Sequence, residues 1–180
     1  NGGQYSRSNY PGNFGDAHIE GHDDENASAA EWLMSWIGTV ALLEDEHGHE
    51  EAHPDAGSGI FFAGLAGTKS SNNAVRFRDV TDGLSKTIAI GERDSRLGES
   101  LWQGRANGVS DDMSRVVGVG AHVFGDEGEK HFEDFFASHP GGVNFVFSDG
   151  HVAFLSNTMS EDHFKAICSR SGGEVVNGDY

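Results

Sequence analysis

Residues 137–156 read ASHPGGVNFVFSDGHVAFLS, and the fold turns on them. Val143, Phe145 and Phe147 alternate with Asn144, Val146 and Ser148. Beyond Asp149-Gly150, Val152 and Phe154 alternate with Ala153 and Leu155. Alternation of this kind marks strands, and Asp-Gly between two such runs is the strongest short-range signal for a two-residue type I′ hairpin. Glycine enters the left-handed region freely and aspartate tolerates it. The expectation is a hairpin turning on Asp149 and Gly150, with Phe145, Phe147, Val152 and Phe154 in core or interface. This accounts for Asp149 and Gly150 without any catalysis. His139 lies in a His-Pro-Gly-Gly turn ahead of the first strand. It leaves three readings open: a catalytic partner of Asp149, a metal ligand, or a folding device.

Working outward, the segment after the hairpin reads SNTMSEDHFKAICSRSGGEVV. Ser160 can cap a helix whose first turn carries Glu161 and Asp162, near the positive end of the dipole. Phe164, Ile167 and Cys168 share one face, Arg170 falls in the last turn, and Gly172-Gly173 ends it. Upstream, Thr87–Glu92 is a strand rich in isoleucine, and Thr81–Ser85 is a turn. Val75, Phe77 and Val80 set an apolar face. SGIFFAG (58–64) reads as a short buried strand, and RVVGVGAHVF (115–124) holds the best strand of its region. The first fifteen residues read as loops with one short strand.

With 180 residues the chain can bury one core, and a single domain over 1–180 is expected. Its 26 glycines favour turns and short strands over long helices. Twelve Lys and Arg stand against 29 Asp and Glu, a net charge of −17, which repels nucleic acid and anionic membranes. No run approaches the length of a transmembrane helix. The one cysteine, Cys168, cannot form an internal disulfide and reads as a buried, inert thiol.

Residues 16–55 form an acidic, histidine-rich insertion with twelve acids, five histidines and no Lys or Arg. Inside it, Ser28 and Glu31 resemble a capping box, followed by a helical stripe of Trp32, Leu33, Trp36, Ile37 and Val40. His18 and His22 are four apart, with Asp23 and Asp24 beside them; His47, His49 and His53 lie in EDEHGHEEAHPD. Imidazole with carboxylate suits zinc or copper, and clustered carboxylate and carbonyl oxygens suit calcium. Neither cluster meets a strict motif. A solvated acidic loop is the simplest reading, with Ca2+ ahead of a transition metal as the expected cofactor.

Catalytic signatures are weak. Ser138, His139 and Asp149 invite a triad, but there is no G-x-S-x-G elbow, no thiol-protease signature and no phosphate loop. No pair of acids stands out as a glycosidase couple.

His139, nine residues, then Asp149-Gly150 resembles the H-x9-DG C-terminal signature of prepilin-type proteins abundant in planctomycetes and related bacteria. RFRDVTDGLSKTIAIGER (76–93), SNYPGNFG (8–15) and SRSGGEVVNGDY (169–180) are similar to the family's middle, glycine-asparagine and C-terminal stretches. The likeness covers most of the chain outside roughly 19–55 and parts of 97–130. It implies an α+β, pilin-like head with a glycine-rich antiparallel sheet, short helices and long loops. It also implies a non-catalytic structural subunit of an extracellular or cell-surface assembly, or a periplasmic pseudopilus. Partners would be copies of itself or pilin-like subunits, with the membrane met only through an N-terminal helix. His139, Asp149 and Gly150 carry over as signature residues. The sequence opens at Asn1 without a leader or that helix. The gene is therefore expected to continue upstream with a basic leader and about 20 apolar residues. The alternative is a secreted domain binding a metal or polysaccharide through residues 16–55, and an enzyme is the third reading.

Repulsion among the twelve acids should loosen the 16–55 block unless cations bind. Millimolar calcium is therefore expected to raise the melting temperature over that in chelator. Superimposable melting curves would mean that no calcium site is coupled to folding.

Overall fold

The computed structural model of the chain describes residues 6–19, 43–44, 50–52, 57–62, 74–94, 100–101, 116–124 and 131–174. Along them run β1 (Gly12–Gly15), β2 (His18–Ile19), β3 (Leu43–Glu44), β4 (Glu50–Ala52), β5 (Ile88–Gly91), β6 (Val117–Val119), β7 (Gly142–Phe147), β8 (Val152–Ser156) and helix α1 (Glu161–Cys168). Five strands make the main sheet in the order β6-β1-β5-β7-β8. Every neighbouring pair is antiparallel except β1 and β6, which run parallel, so the α+β architecture stands with a mixed sheet. A second sheet, β2-β4-β3, draws its backbone from within the acidic block.

The hairpin forms, with a different turn. Val146 pairs with Val152, and the Phe147 N–H donates to the His151 carbonyl at 2.9 Å. The Gly150 N–H donates back to the Phe147 carbonyl, and Gly150 sits at φ 94°. This is a three-residue connection, Ser148-Asp149-Gly150, in which a turn is closed by one left-handed glycine. The extra residue shifts the register by one and so exchanges the faces of the second strand. Phe145 therefore faces Ala153 and Val143 faces Leu155. Phe145, Phe147 and Leu155 are buried, whereas Val152 and Phe154 are 65% and 50% exposed. Of the four positions expected in core or interface, Phe145 and Phe147 enter the core, and Val152 and Phe154 face outward.

Helix α1 starts at its expected cap, with the His163 N–H donating to Ser160 Oγ at 3.3 Å. Phe164, Ile167 and Cys168 are wholly buried against the sheet. Phe164 meets Phe124 edge-on at 5.0 Å and Phe145 at 5.7 Å, and Phe135 meets Phe145 at 5.2 Å. Offset and edge-on pairs of this kind add to simple burial. The helix ends at Cys168, two residues before Arg170. Arg170 instead reaches across to the carbonyls of Gly57 and Gly59 and lies over Phe62.

Glycines let these layers approach closely. A Cβ on Gly91 would sit 2.3 Å from the Phe135 ring, on Gly118 2.6 Å from it, and on Gly120 2.2 Å from Cys168 Sγ. Asn13, fully buried in β1, donates through Nδ2 to the carbonyls of Ile88 and Cys168 at 2.8 and 2.7 Å. One side chain thus ties β1, β5 and the end of α1 together. A second apolar cluster gathers Phe14, Ile19, Val117, Val119 and Ala121.

Two other expectations fail for local reasons. Residues 58–62 form no strand: the N–H groups of Gly59, Ile60 and Phe61 all bond to just two carbonyls, those of Phe14 and Asn13, which makes a bend. A 3-10 turn at Phe77–Asp79 breaks the alternation there, leaving Val80 buried and Phe77 exposed. The helical stripe from Trp32 to Val40 lies outside the described residues.

Nothing lies within 4 Å of a Cβ built on Gly150, so only its φ resists substitution. Gly150→Val should lower stability by about 1 kcal/mol or more, and Gly150→Asn by less, since asparagine visits the left-handed region. Denaturant melts of the two variants check this ordering, and equal losses would refute it.

Candidate functional site

The signature residues stand at opposite ends of β7. His139 precedes the strand and Asp149 lies in the loop beyond it. Six strand residues separate these ends, roughly 20 Å at the usual rise. They do not form a pair. The His139 Nε2–H donates to Glu92 Oε2 at 3.1 Å, and its ring lies 5.7 Å from that of Phe154. The same Glu92 oxygen accepts from Asn144 Nδ2 at 2.9 Å and from the Asn144 N–H at 3.3 Å. Burial alone would raise the Glu92 carboxyl, but the bonds from Asn144 and His139 outweigh it and hold the group below its ordinary value. Glu92 therefore clamps the entry of β7 to the end of β5.

At the far end, Asp149 Oδ1 accepts from the His151 N–H at 3.0 Å and from His151 Nδ1 at 2.6 Å. Those two bonds, the main-chain one first, hold its carboxyl below the usual range. The His151 ring stacks on Phe147 at 4.4 Å, and the Asp149 N–H donates to the Leu84 carbonyl at 3.1 Å. Asp149 is thus a loop-closing residue, as its place in an Asp-Gly turn suggests.

The members of the triad suggested by sequence each have another partner. Ser138 Oγ donates to Asp94, His139 to Glu92, and Asp149 accepts from His151. Cys168 is fully buried, and burial raises its thiol well above the ordinary value, which leaves it protonated and inert.

Of the metal-ligand candidates, only His18 falls among the described residues; His22, Asp23, Asp24, His47, His49 and His53 lie outside them. His18 opens β2. It is 2% exposed, and its Nδ1–H donates to Glu133 Oε1 at 2.9 Å. Its neighbours are His122 and His131. Sequence spacing gives no hint of this meeting, because His18 comes from a distant segment and His122 and His131 share no ligand motif.

The Glu92 clamp has a defined pH signature. A carboxyl whose folded value lies below its unfolded value stabilises the fold fully above that unfolded value, and the stabilisation is lost as pH falls through the folded value. Glu92→Gln should cost about 1–2 kcal/mol at neutral pH. Stability of the native protein should fall more steeply than that of the variant below pH 4.5, the ordinary glutamate value, until the two curves meet. Parallel curves in acid titrations of stability would exclude the clamp.

No curated protein and no solved structure matches the chain. One family model does, over residues 16–162, and its description is protein of unknown function (DUF1559). That span covers most of the 180 residues, and the chain belongs to this family.

Proposed function

We propose that the chain is the head of a non-catalytic, pilin-like or pseudopilin-like structural subunit, acting in an assembly at the cell surface or outside the cell. The observation that carries this reading is the use made of the H-x9-DG residues. His139 braces one end of β7 through Glu92, and Asp149 closes the other through His151. The motif spends its polar groups on positioning a hairpin. A signature of that kind suits a protein whose product is a surface.

The hairpin supports self-association as well. β8 is an edge strand of the main sheet, and it carries Val152 and Phe154 outward. Edge strands usually carry features that discourage pairing, so two exposed apolar side chains on one fit contact with a like or pilin-like subunit. The strong negative charge fits a solvated surface and opposes binding to nucleic acid. No helix among the described residues is long and apolar enough to cross a membrane.

Full-length native protein should appear as filaments or short pseudopilus-like rods in electron micrographs. Val152→Lys with Phe154→Lys should abolish or shorten them while leaving the circular dichroism of the head unchanged. Monodisperse single chains in the native preparation would refute the assembly reading.

A further inference from the structure

Three histidines from three parts of the chain converge beside the second apolar cluster. His18 opens β2, His122 lies in the bend after β6, and His131 opens the segment that returns along β6. That return is fixed by a parallel bridge between Val119 and Asp134 and by the Val119 N–H donating to the Glu133 carbonyl at 2.9 Å. Ring centroids lie 4.8 Å apart for His18 and His122, 4.6 Å for His18 and His131, and 5.1 Å for His122 and His131. One nitrogen from each lies within 4.8 Å of the other two.

Two carboxylates stand behind the rings. Glu133, with no exposure at all, accepts from His18 Nδ1 at 2.9 Å, which directs the opposite ring nitrogen, Nε2, to ligation. Asp134 Oδ2 lies 3.6 Å from His122 Nδ1 and accepts the main-chain N–H of His131 at 3.0 Å. A carboxylate behind an imidazole is the usual support of a metal-bound histidine, since it fixes the tautomer and raises the basicity of the ligand. Burying a glutamate fully among imidazoles is costly in a core that needs only apolar packing. The nearby Arg93 guanidinium offsets part of that cost, and the hydrogen bond to His18 spends the carboxylate on orienting an imidazole.

We propose that His18, His122 and His131 form a binding site for a divalent transition metal of the zinc type, with Glu133 and Asp134 as positioning residues. Three neutral imidazoles are a nitrogen donor set, which suits zinc, copper or cobalt and not calcium. Three protein ligands leave one tetrahedral position for water or another donor. Zinc–nitrogen bonds of about 2.0–2.1 Å place tetrahedral ligand atoms about 3.3 Å apart. The present spacing of up to 4.8 Å therefore closes by modest ring movements. Bound metal would cross-link β2, the end of β6 and the returning segment. This site shares no residue with the signature hairpin, and of the five histidines of residues 16–55 it takes only His18.

Cobalt(II) titrated into the full chain, read by its visible d–d absorption with zinc as competitor, tests the proposal. One cobalt per chain with the intense bands of a tetrahedral site is expected. His122→Ala and His131→Ala, chosen because both rings are only partly buried, should weaken binding more than Glu133→Gln. The last should weaken it about 10- to 100-fold. A variant with His22, His47, His49 and His53 all replaced by Ala should bind as the native chain does. Binding that survives His131→Ala but vanishes in the fourfold variant overturns the proposal, as does the absence of tetrahedral bands. Should a ligand variant fail to fold, imidazole resonances of the native chain decide. Substoichiometric zinc must shift those of His18, His122 and His131, and a shift confined to other histidines overturns the assignment.

Discussion

A buried guanidinium holds the middle of this protein together. Arg93, 1% exposed, follows β5 and donates to main-chain carbonyls of three residues: Val117 at 2.9 Å, Asp134 at 3.0 Å, and Glu133. Burial pushes its pKa down to about 10, and the charges of Glu133 and Asp134 oppose that fall, so it stays protonated at neutral pH. A charge withdrawn from water is tolerable only when its donors are satisfied, and here the partners belong to β6 and to the returning segment. That segment carries Phe135 into the core and His131 to its neighbours. The residue before it, Glu92, clamps His139 and Asn144. Two consecutive residues at the end of one short strand thus organise the histidine cluster and the signature hairpin.

The hairpin shows what a motif spacing can mean. The nine residues between His139 and Asp149 measure one strand plus its approaches. The two ends must be braced separately because a strand joins them and no contact does. The loop length then decides which face of β8 enters the core. With two residues, Val152 and Phe154 would have lain with Phe145 and Phe147; with three, Ala153 and Leu155 do. Parity in one turn exposes an aromatic on a sheet edge.

Much of the fold was legible in the sequence where the signal is local. The Ser160 cap, the buried face of α1, the strand at Ile88–Gly91 and the hairpin itself follow from spacing and turn chemistry over a few residues. Loop parity was not legible, since Asp-Gly serves both two- and three-residue turns. Segment 58–62 has strand composition but is captured by two carbonyls of β1, a tertiary effect. At the candidate site, Asp149 and Gly150 were read correctly as turn residues, whereas Glu92, Arg93 and Asn13 gave no sign of their roles. The grouping of His18 with His122 and His131 depends on β1 pairing with β6, more than a hundred residues later, and no local window on the sequence contains both.

The glycines facing Phe135 have a consequence for the register of the strands. β5 has four residues and β6 has three, too few hydrogen bonds to distinguish one alignment from the next. Steric relief makes the distinction instead. Sliding β5 by one position would bring Ile90 or Glu92 beneath the Phe135 ring in place of Gly91, and sliding β6 would bring Val117 or Val119 in place of Gly118. Every neighbouring alignment collides with the same aromatic plate. Missing side chains act as the notches of a key, and the absence of a carbon atom carries the information that longer strands store in their ladders.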